Sequence, residues 1–190
     1  MRYRLEGNWK KGLAFDLHTL ASTYLGTDEF GHDRWDTTRS EMGELVYQLK
    51  YQNDKSVVPK IVELLKPIGK IEQFDAIIPV PSSKDRPYQP VDEIAKALGE
   101  QRSVPVLQGY LKKETGIELK GIDDPDERKE ALMNSISIQG DTDISGNRVL
   151  LIDDLYRSGA TLKACCHILT EQSKVEFVSV LTMTKSRSKK

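Results

Sequence analysis

Residues 149 to 162 run Val-Leu-Leu-Ile-Asp-Asp-Leu-Tyr-Arg-Ser-Gly-Ala-Thr-Leu, an unbroken apolar stretch closed by two carboxylates and followed by a short polar turn around a glycine. A leucine-rich and β-branched run without polar alternation suits a strand buried on both faces, as in a parallel sheet. Asp153 and Asp154 then fall at its carboxyl end. Open α/β sheets bind ligands there, and the helix that follows turns its unpaired backbone N–H groups into the same crevice. Gly159 allows close backbone approach to an anion, and Ser158 and Thr161 add hydroxyls.

The two halves of this segment suit different chemistry. A phosphate is repelled by Asp153 and Asp154 and belongs further on, over the amides of Arg157 to Thr161. The carboxylates are acceptor-only when ionised and are hard oxygen ligands, so they suit vicinal hydroxyls or a divalent cation. A ribose 5-phosphate satisfies both halves, with its hydroxyls on the acids and its phosphate in the turn.

A chain of 190 residues is one domain's length and can bury a sizeable core without disulfides. A net charge of -1 argues against a surface that coats a polyanion. The dense basic run is the tail from Lys185 to Lys190, which reads as a solvated end. Cys165 and Cys166 are adjacent in a predicted helix and point about 100° apart, which disfavours a shared metal or a disulfide and predicts packing residues. Met1 to Lys11 lacks the hydrophobic core of a signal peptide, and no apolar run has membrane-spanning length. The expected location is the cytoplasm.

Along the chain, residues 1–40 mix Trp9, Phe15, Leu17, Leu20, Tyr24 and Leu25 with polar residues, predicting an irregular or short-stranded lobe. Met42, Leu45, Val46 and Leu49 recur at helical spacing, with Thr37, Thr38 or Ser40 as the cap, and this helix ends near Lys50-Tyr51. A second helix, Val57 to Leu65, stops before Pro67 and Gly69. Phe74 to Val80 predicts a strand, Pro90 the first residue of a helix, and Val104 to Leu107 a further strand. Lys112 to Arg128 is polar and charged, predicting a long loop with a helical turn near Asp126 to Leu132. Strand 148–152, helix 160–171 and strand 175–182 then form a βαβ unit.

The segment at 149–161 resembles the phosphoribosyl-pyrophosphate (PRPP) signature of the type I phosphoribosyltransferases: an apolar strand, Asp-Asp, three residues, then Ser/Thr-Gly-x-Thr/Ser. The resemblance implies that Asp153 and Asp154 hold the ribose hydroxyls, that Arg157, Ser158, Gly159, Ala160 and Thr161 hold the 5-phosphate, and that Mg²⁺ sits at Asp153 and Asp154, directly or through water. It implies the fold as well: an open parallel sheet flanked by helices, with an N-terminal hood (1–40), a PRPP-binding α/β core (41–184) and a basic tail (185–190).

A PRPP site must also hold pyrophosphate. The loop after strand 74–80 offers hydroxyls and amides at Ser82 and Ser83 and positive charge at Lys84 and Arg86, where ionised donors make the stronger hydrogen bonds. The order of segments, with Leu49-Lys50-Tyr51, Ile78-Pro79-Val80-Pro81, Arg86-Pro87-Tyr88-Gln89, Arg128 and the signature, resembles the competence protein ComF branch of this family over residues 40–184. Two departures stand out. No cysteine precedes Cys165, so the N-terminal zinc module of many ComF relatives is absent, and Arg157-Ser158 replaces the two threonines that many of them carry.

Other motifs fail on chemistry. Asp141 to Gly146 imitates the start of a calcium loop, but the twelfth position is Ile152 rather than Glu. His18, His32 and His167 show no metal-ligand or triad spacing, and no Gly-x-x-x-x-Gly-Lys run exists. The resemblance implies Mg²⁺-dependent transfer of the 5-phosphoribosyl group from PRPP to a nitrogen acceptor, with pyrophosphate leaving. The loop after Lys112 is the candidate lid, with Lys112, Lys113, Lys120 and Arg128 as phosphate contacts. The alternatives are a regulator that senses PRPP or a nucleotide without turnover and acts on a protein or nucleic-acid partner, and a phosphate-binding interaction subunit. A homodimer is compatible with all three, and a membrane with none.

Overall fold

A computed structural model describes residues 2–82, 88–114 and 124–187. In chain order its elements are β1 (Tyr3–Arg4), β2 (Lys11–Leu17), β3 (Thr19–Thr27), β4 (Asp33–Arg39), α1 (Glu41–Tyr51), α2 (Val58–Leu65), β5 (Ala76–Pro79), α3 (Pro90–Arg102), β6 (Leu111–Lys113), α4 (Pro125–Asn134), β7 (Ile136–Ile138), β8 (Arg148–Tyr156), α5 (Ala160–Glu171) and β9 (Phe177–Lys185). The central sheet has the order β1-β2-β9-β8-β5. All its pairings are parallel except β1 against β2. Beyond β5, Val106 adds one parallel bridge to Ile77, so the strand expected at 104–107 is reduced to that contact.

Val149 to Ile152 of β8 are all buried, and the pleat of the strand sends them alternately into two cores. Val149 and Leu151 join the core under α5, together with Leu162, Cys165, Cys166 and Leu169. Leu150 and Ile152 join the opposite core, formed by α1, α2 and α3. The chain is therefore α/β, with a mainly parallel sheet covered by helices on both faces. From β8 it passes through α5 to β9 on one side; from β5 it passes through α3 to Val106 on the other. The two crossovers run apart on opposite faces, which makes the gap between the carboxyl ends of β5 and β8 the topological switch point, where open α/β sheets take their ligands.

Two local contacts set the position of α1 over this gap. Ser40 caps the helix, its Oγ accepting from the Gly43 amide at 2.9 Å. A Cβ on Gly43 would lie 2.2 Å from the His18 carbonyl oxygen, so glycine is what allows α1 to lie directly against the end of β2. At the far side of the same layer, the Arg102 guanidinium donates to the carbonyls of Leu65, Lys66 and Ile68 at 3.2, 2.8 and 3.1 Å, satisfying the open end of α2.

Three expectations differ from what is found. Residues 1–40 divide: β1 and β2 belong to the main sheet, where Leu13, Phe15 and Leu17 alternate, and the β3–β4 hairpin stands apart as a two-stranded sheet. The stretch read as one loop from Lys112 begins as strand β6, paired with β7, and from Pro125 it is a ten-residue helix rather than a turn. The tail is not free throughout, since Lys185 ends β9 and Arg187 donates to the Leu20 carbonyl at 2.8 Å.

Candidate functional site

The acid pair sits where the two neighbours of β8 part company. β5 ends at Pro79, opposite Ile152, and its last bond is from the Val80 amide to the Ile152 carbonyl at 2.9 Å. On the other side β9 continues, pairing Asp153 with Thr182, Leu155 with Thr184 and Tyr156 with Lys185. The strand expected to stop at Ile152 thus runs four residues further. The acids lie beyond the strand end with respect to β5 alone, which opens a crevice on that side only.

Strand alternation starts the two side chains from opposite sides of β8, yet their carboxyl groups interact, and a side-chain hydrogen bond with Asp154 is among the contacts that raise the Asp153 carboxyl. Asp154 faces α1, is 6% exposed and is ion-paired with Lys50. Its carbonyl accepts from Thr184 Oγ1 at 3.0 Å, and that hydroxyl lies 3.2 Å from Nδ1 of His18. With the hydroxyl proton committed to the carbonyl, Thr184 can only accept from the ring, so Nδ1 carries the proton of the neutral imidazole and Nε2 is left as an acceptor. Burial lowers the His18 pKa, and the charges of Arg39, Lys50 and Arg157 act in the same direction against Asp154.

Asp153 faces the α5 side and is half-buried. Its Oδ1 accepts from the Asp154 amide at 2.8 Å. Burial, followed by the charge of Asp154, pushes its carboxyl well above the usual carboxylate range, although the Asp154 amide and Lys50 pull it down. A bound cation or hydroxyl donor at Asp153 would offset the cost that burial imposes on its ionised form. Cys165 and Cys166 lie below in the core, and burial raises both thiols, that of Cys166 to about 12, so neither is a thiolate near neutral pH.

After Tyr156 the chain turns into α5. Arg157, Ser158 and Ala160 are exposed, Thr161 is half-buried and Gly159 is buried. Gly159 occupies the cap position with φ +74°, and a Cβ there would lie 2.6 Å from the Tyr156 ring. No side chain makes a cap hydrogen bond at this helix start, and the Ala160 amide reaches Ser158 Oγ only at 3.4 Å. The place that a capping oxygen normally fills is therefore open to an anion.

Across the crevice, Ser82 follows β5 and lines a cavity of about 560 Å³ together with Pro81, Gln89, Asp92, Lys112 and Lys113. Two segments far apart in sequence, the candidate pyrophosphate loop and the start of the candidate lid, meet at this cavity. Ser83, Lys84, Arg86 and Lys120 lie outside the described residues, as does the side chain of Arg128, whose backbone is in α4. Asp92, in the cavity wall, has its carboxyl raised by burial and then by the charge of Glu93.

Sequence reasoning quoted Lys50 only as part of a segment and gave His18 no role, yet both belong to the Asp154 cluster. Nothing local announces either one. Lys50 is 104 positions from Asp154, and a lysine at the end of an amphipathic helix ordinarily marks the solvent side. Among the described residues no group of three or more His, Cys, Asp or Glu side chains is placed to hold a metal ion. Asp154, buried and engaged by Lys50, does not fit a direct metal ligand, whereas Asp153 fits one partner of a cation held mostly by water and phosphate oxygens.

No family model matches the chain, and no curated protein does. Among solved structures it is similar to the orotate phosphoribosyltransferase of Aeropyrum pernix, at 15% identity and a TM-score of 0.47 over 85% of this chain and 75% of that one. It is similar also to the adenine phosphoribosyltransferase of Thermoanaerobacter pseudethanolicus, at 16% identity and 0.48 over 79% and 88%. A third is a hypoxanthine phosphoribosyltransferase from Staphylococcus aureus, at 14% identity and 0.43 over 69% and 64%.

Proposed function

We propose that the chain binds PRPP in the crevice between β5 and β8 and transfers its 5-phosphoribosyl group to a nitrogen acceptor, with pyrophosphate leaving. The observation that carries this reading is the pairing of a half-buried acid, Asp153, with an uncapped helix start at Gly159, six residues on, at the topological switch point. An acid that welcomes hydroxyl donors next to amides that welcome an anion matches a phosphorylated sugar. In this reading Asp153 takes the ribose hydroxyls, the 157–161 turn takes the 5-phosphate, and Ser82 with the loop after it takes the pyrophosphate. Asp154 acts beside Asp153, held in place by Lys50.

Transfer breaks the bond between C1 of the ribose and pyrophosphate and forms one from C1 to the acceptor nitrogen, through a state with positive charge on the sugar. The residues' task is to stabilise the departing anion and exclude water. Lys112 and Lys113 are on the same cavity as Ser82 and suit the first task. Mg²⁺, the expected cofactor, would be carried by the phosphate oxygens and touch the protein at Asp153, where it would neutralise charge on the leaving group. Among the described residues no helix is long and apolar enough to cross a membrane. Within the superfamily, the Lys50, Arg86 and Arg128 segments favour the ComF branch, and the intracellular location expected of such a chain follows from that reading.

Calorimetry with PRPP and Mg²⁺ tests the site. Asp153→Asn should weaken binding, and Asp154→Asn should do so less while lowering the melting temperature. Equal heats for the wild type and Asp153→Asn would overturn the assignment. Turnover is tested by PRPP-dependent pyrophosphate release across purine, pyrimidine and pyridine bases, amines and ammonia; tight binding with no release from any acceptor would make the protein a sensor.

A further inference from the structure

The amino end of the sheet carries a second cavity, of about 880 Å³. It is lined by the starts of β2 and β8 and by β9 as far as Leu181, which pairs with Ile152; along β8 its last residue, Leu150, lies three positions, roughly 10 Å, before Asp153. Its origin is a gap in the helical layer. α2 ends at Leu65, and the chain crosses the sheet from Lys66 to Asp75 with a single 3₁₀ turn at Ile71–Gln73, leaving the starts of β2 and β9 without a helix over them.

The floor is apolar. Leu13, Leu150 and Leu181 rise from the sheet, and Ile71 and Phe74 close the side formed by the crossing chain. The rim is cationic: Arg4, Lys10, Lys11 and Lys70 surround the mouth against one carboxylate, Glu6, in a chain whose net charge is -1. Arg148 does not add to this excess, because Asp75 engages it at 2.9 and 3.0 Å. Lys10 is already directed at an aromatic surface, its Nζ 3.7 Å from the centroid of Phe177, and that ring meets Phe74 edge-on at 6.4 Å. Size, an apolar floor and a few charged groups at the mouth are what a small-molecule pocket requires.

We propose that this cavity binds a small aromatic anion, a planar apolar body bearing one carboxylate, sulfonate or phosphate. The body would lie on Leu13, Leu150 and Leu181 beside the Phe74 and Phe177 rings, where a flat ring gains most. The anionic group would sit at the mouth between Lys10 and Lys70. This site shares no residue with the phosphoribosyl crevice, so either assignment can fail without the other.

The test is a fluorescence titration of the full chain with 1-anilinonaphthalene-8-sulfonate, with and without saturating PRPP and Mg²⁺. One saturable site is expected, unaffected by PRPP. Lys10→Glu with Lys70→Glu should weaken it at least tenfold and the corresponding Gln pair should weaken it less, while both pairs, which lose the same contact of Lys10 with the Phe177 ring, should remain folded with similar melting temperatures. The uncharged N-phenyl-1-naphthylamine should bind at least tenfold more weakly than the sulfonate. The rival surface is the β3–β4 hairpin, where Leu25, Phe30 and Trp35 are exposed. Replacing those three with Ser should leave the titration unchanged. Equal affinity of the wild type and the Glu pair, or loss of binding in the hairpin variant, would overturn the proposal.

Discussion

Lys50, in the last turn of α1, is ion-paired with Asp154 on β8, and this contact ties the helical layer to the candidate site. Asp154 is 6% exposed, and Lys50 is the cation paired with its buried carboxylate. Removing one member of a buried pair costs about 3–5 kcal/mol because the other is left uncompensated.

Lys50→Met should therefore destabilise the fold, by about 2–3 kcal/mol once the partial exposure of Lys50 is allowed for. Adding Asp154→Asn to Lys50→Met should recover more than half of the loss, since the orphaned charge is then gone. Urea unfolding of both single variants and the double variant forms a complete cycle. Strictly additive losses would mean that the pair contributes nothing.

Gly159 answers to two constraints, a φ of +74° and a ring where its Cβ would be. Gly159→Ala should cost on the order of 1 kcal/mol for the backbone alone and more from the Tyr156 clash. It should also displace the turn and weaken binding of inorganic phosphate or ribose 5-phosphate. Tyr156 packs on the core, so Tyr156→Ala is itself destabilising; in that background Gly159→Ala should cost less than in the wild type, leaving only the backbone cost. No cost in that background would show that the left-handed conformation is not needed.

Much of this was legible in the residues themselves. Helix α5 lies at the expected residues 160–171 because an apolar stripe and a glycine start are local signals, and Ser40 is one of the three candidate caps of α1. What could not be read depends on partners distant in sequence. Leu155 and Tyr156 fall outside the strand expected at 148–152, and they are strand only because β9 is long enough to pair with them. Leu13, Phe15 and Leu17 do alternate, but over too few residues to separate a strand of the main sheet from a loose lobe without β9 beside them. Asp153 and Asp154 lie within β8 because the strand continues past Ile152 against β9, a partner distant in sequence.

Asp75 and Arg148 join the starts of β5 and β8, with contacts at 2.8, 2.9 and 3.0 Å. The hydrogen bonds from Arg148 hold the Asp75 carboxyl at about 2, below its usual value. A depressed carboxylate stabilises the fold above its unfolded value near 4 and loses that contribution as pH falls towards 2. Both side chains are more than a third exposed, so the contribution is about 0.5 kcal/mol rather than the larger figure of a buried pair. Urea midpoints of the wild type and Asp75→Asn should differ at pH 6 and converge as the pH is lowered to about 2.5; a difference that persists unchanged would assign it to packing.

Asp153 runs in the opposite direction, and this separates its role in binding from any role in stability. Its carboxyl is raised by burial and by Asp154, so folding favours the protonated form, and stability is lost as pH rises from the unfolded value near 4 through the elevated folded value. Asp153→Asn keeps an oxygen for the Asp154 amide and carries no charge. The variant should melt higher than the wild type at pH 7 and at the same temperature near pH 3, where the wild-type acid is protonated in both states. At pH 7 it should also lose PRPP affinity, a trade of function against stability that marks a group retained for its ligand rather than for the fold. Thermal melts at the two pH values, run beside the calorimetric titration, test both halves. A variant that melts lower at pH 7 would show that the carboxylate is satisfied by the protein alone, and would remove the physical reason for placing a ligand there.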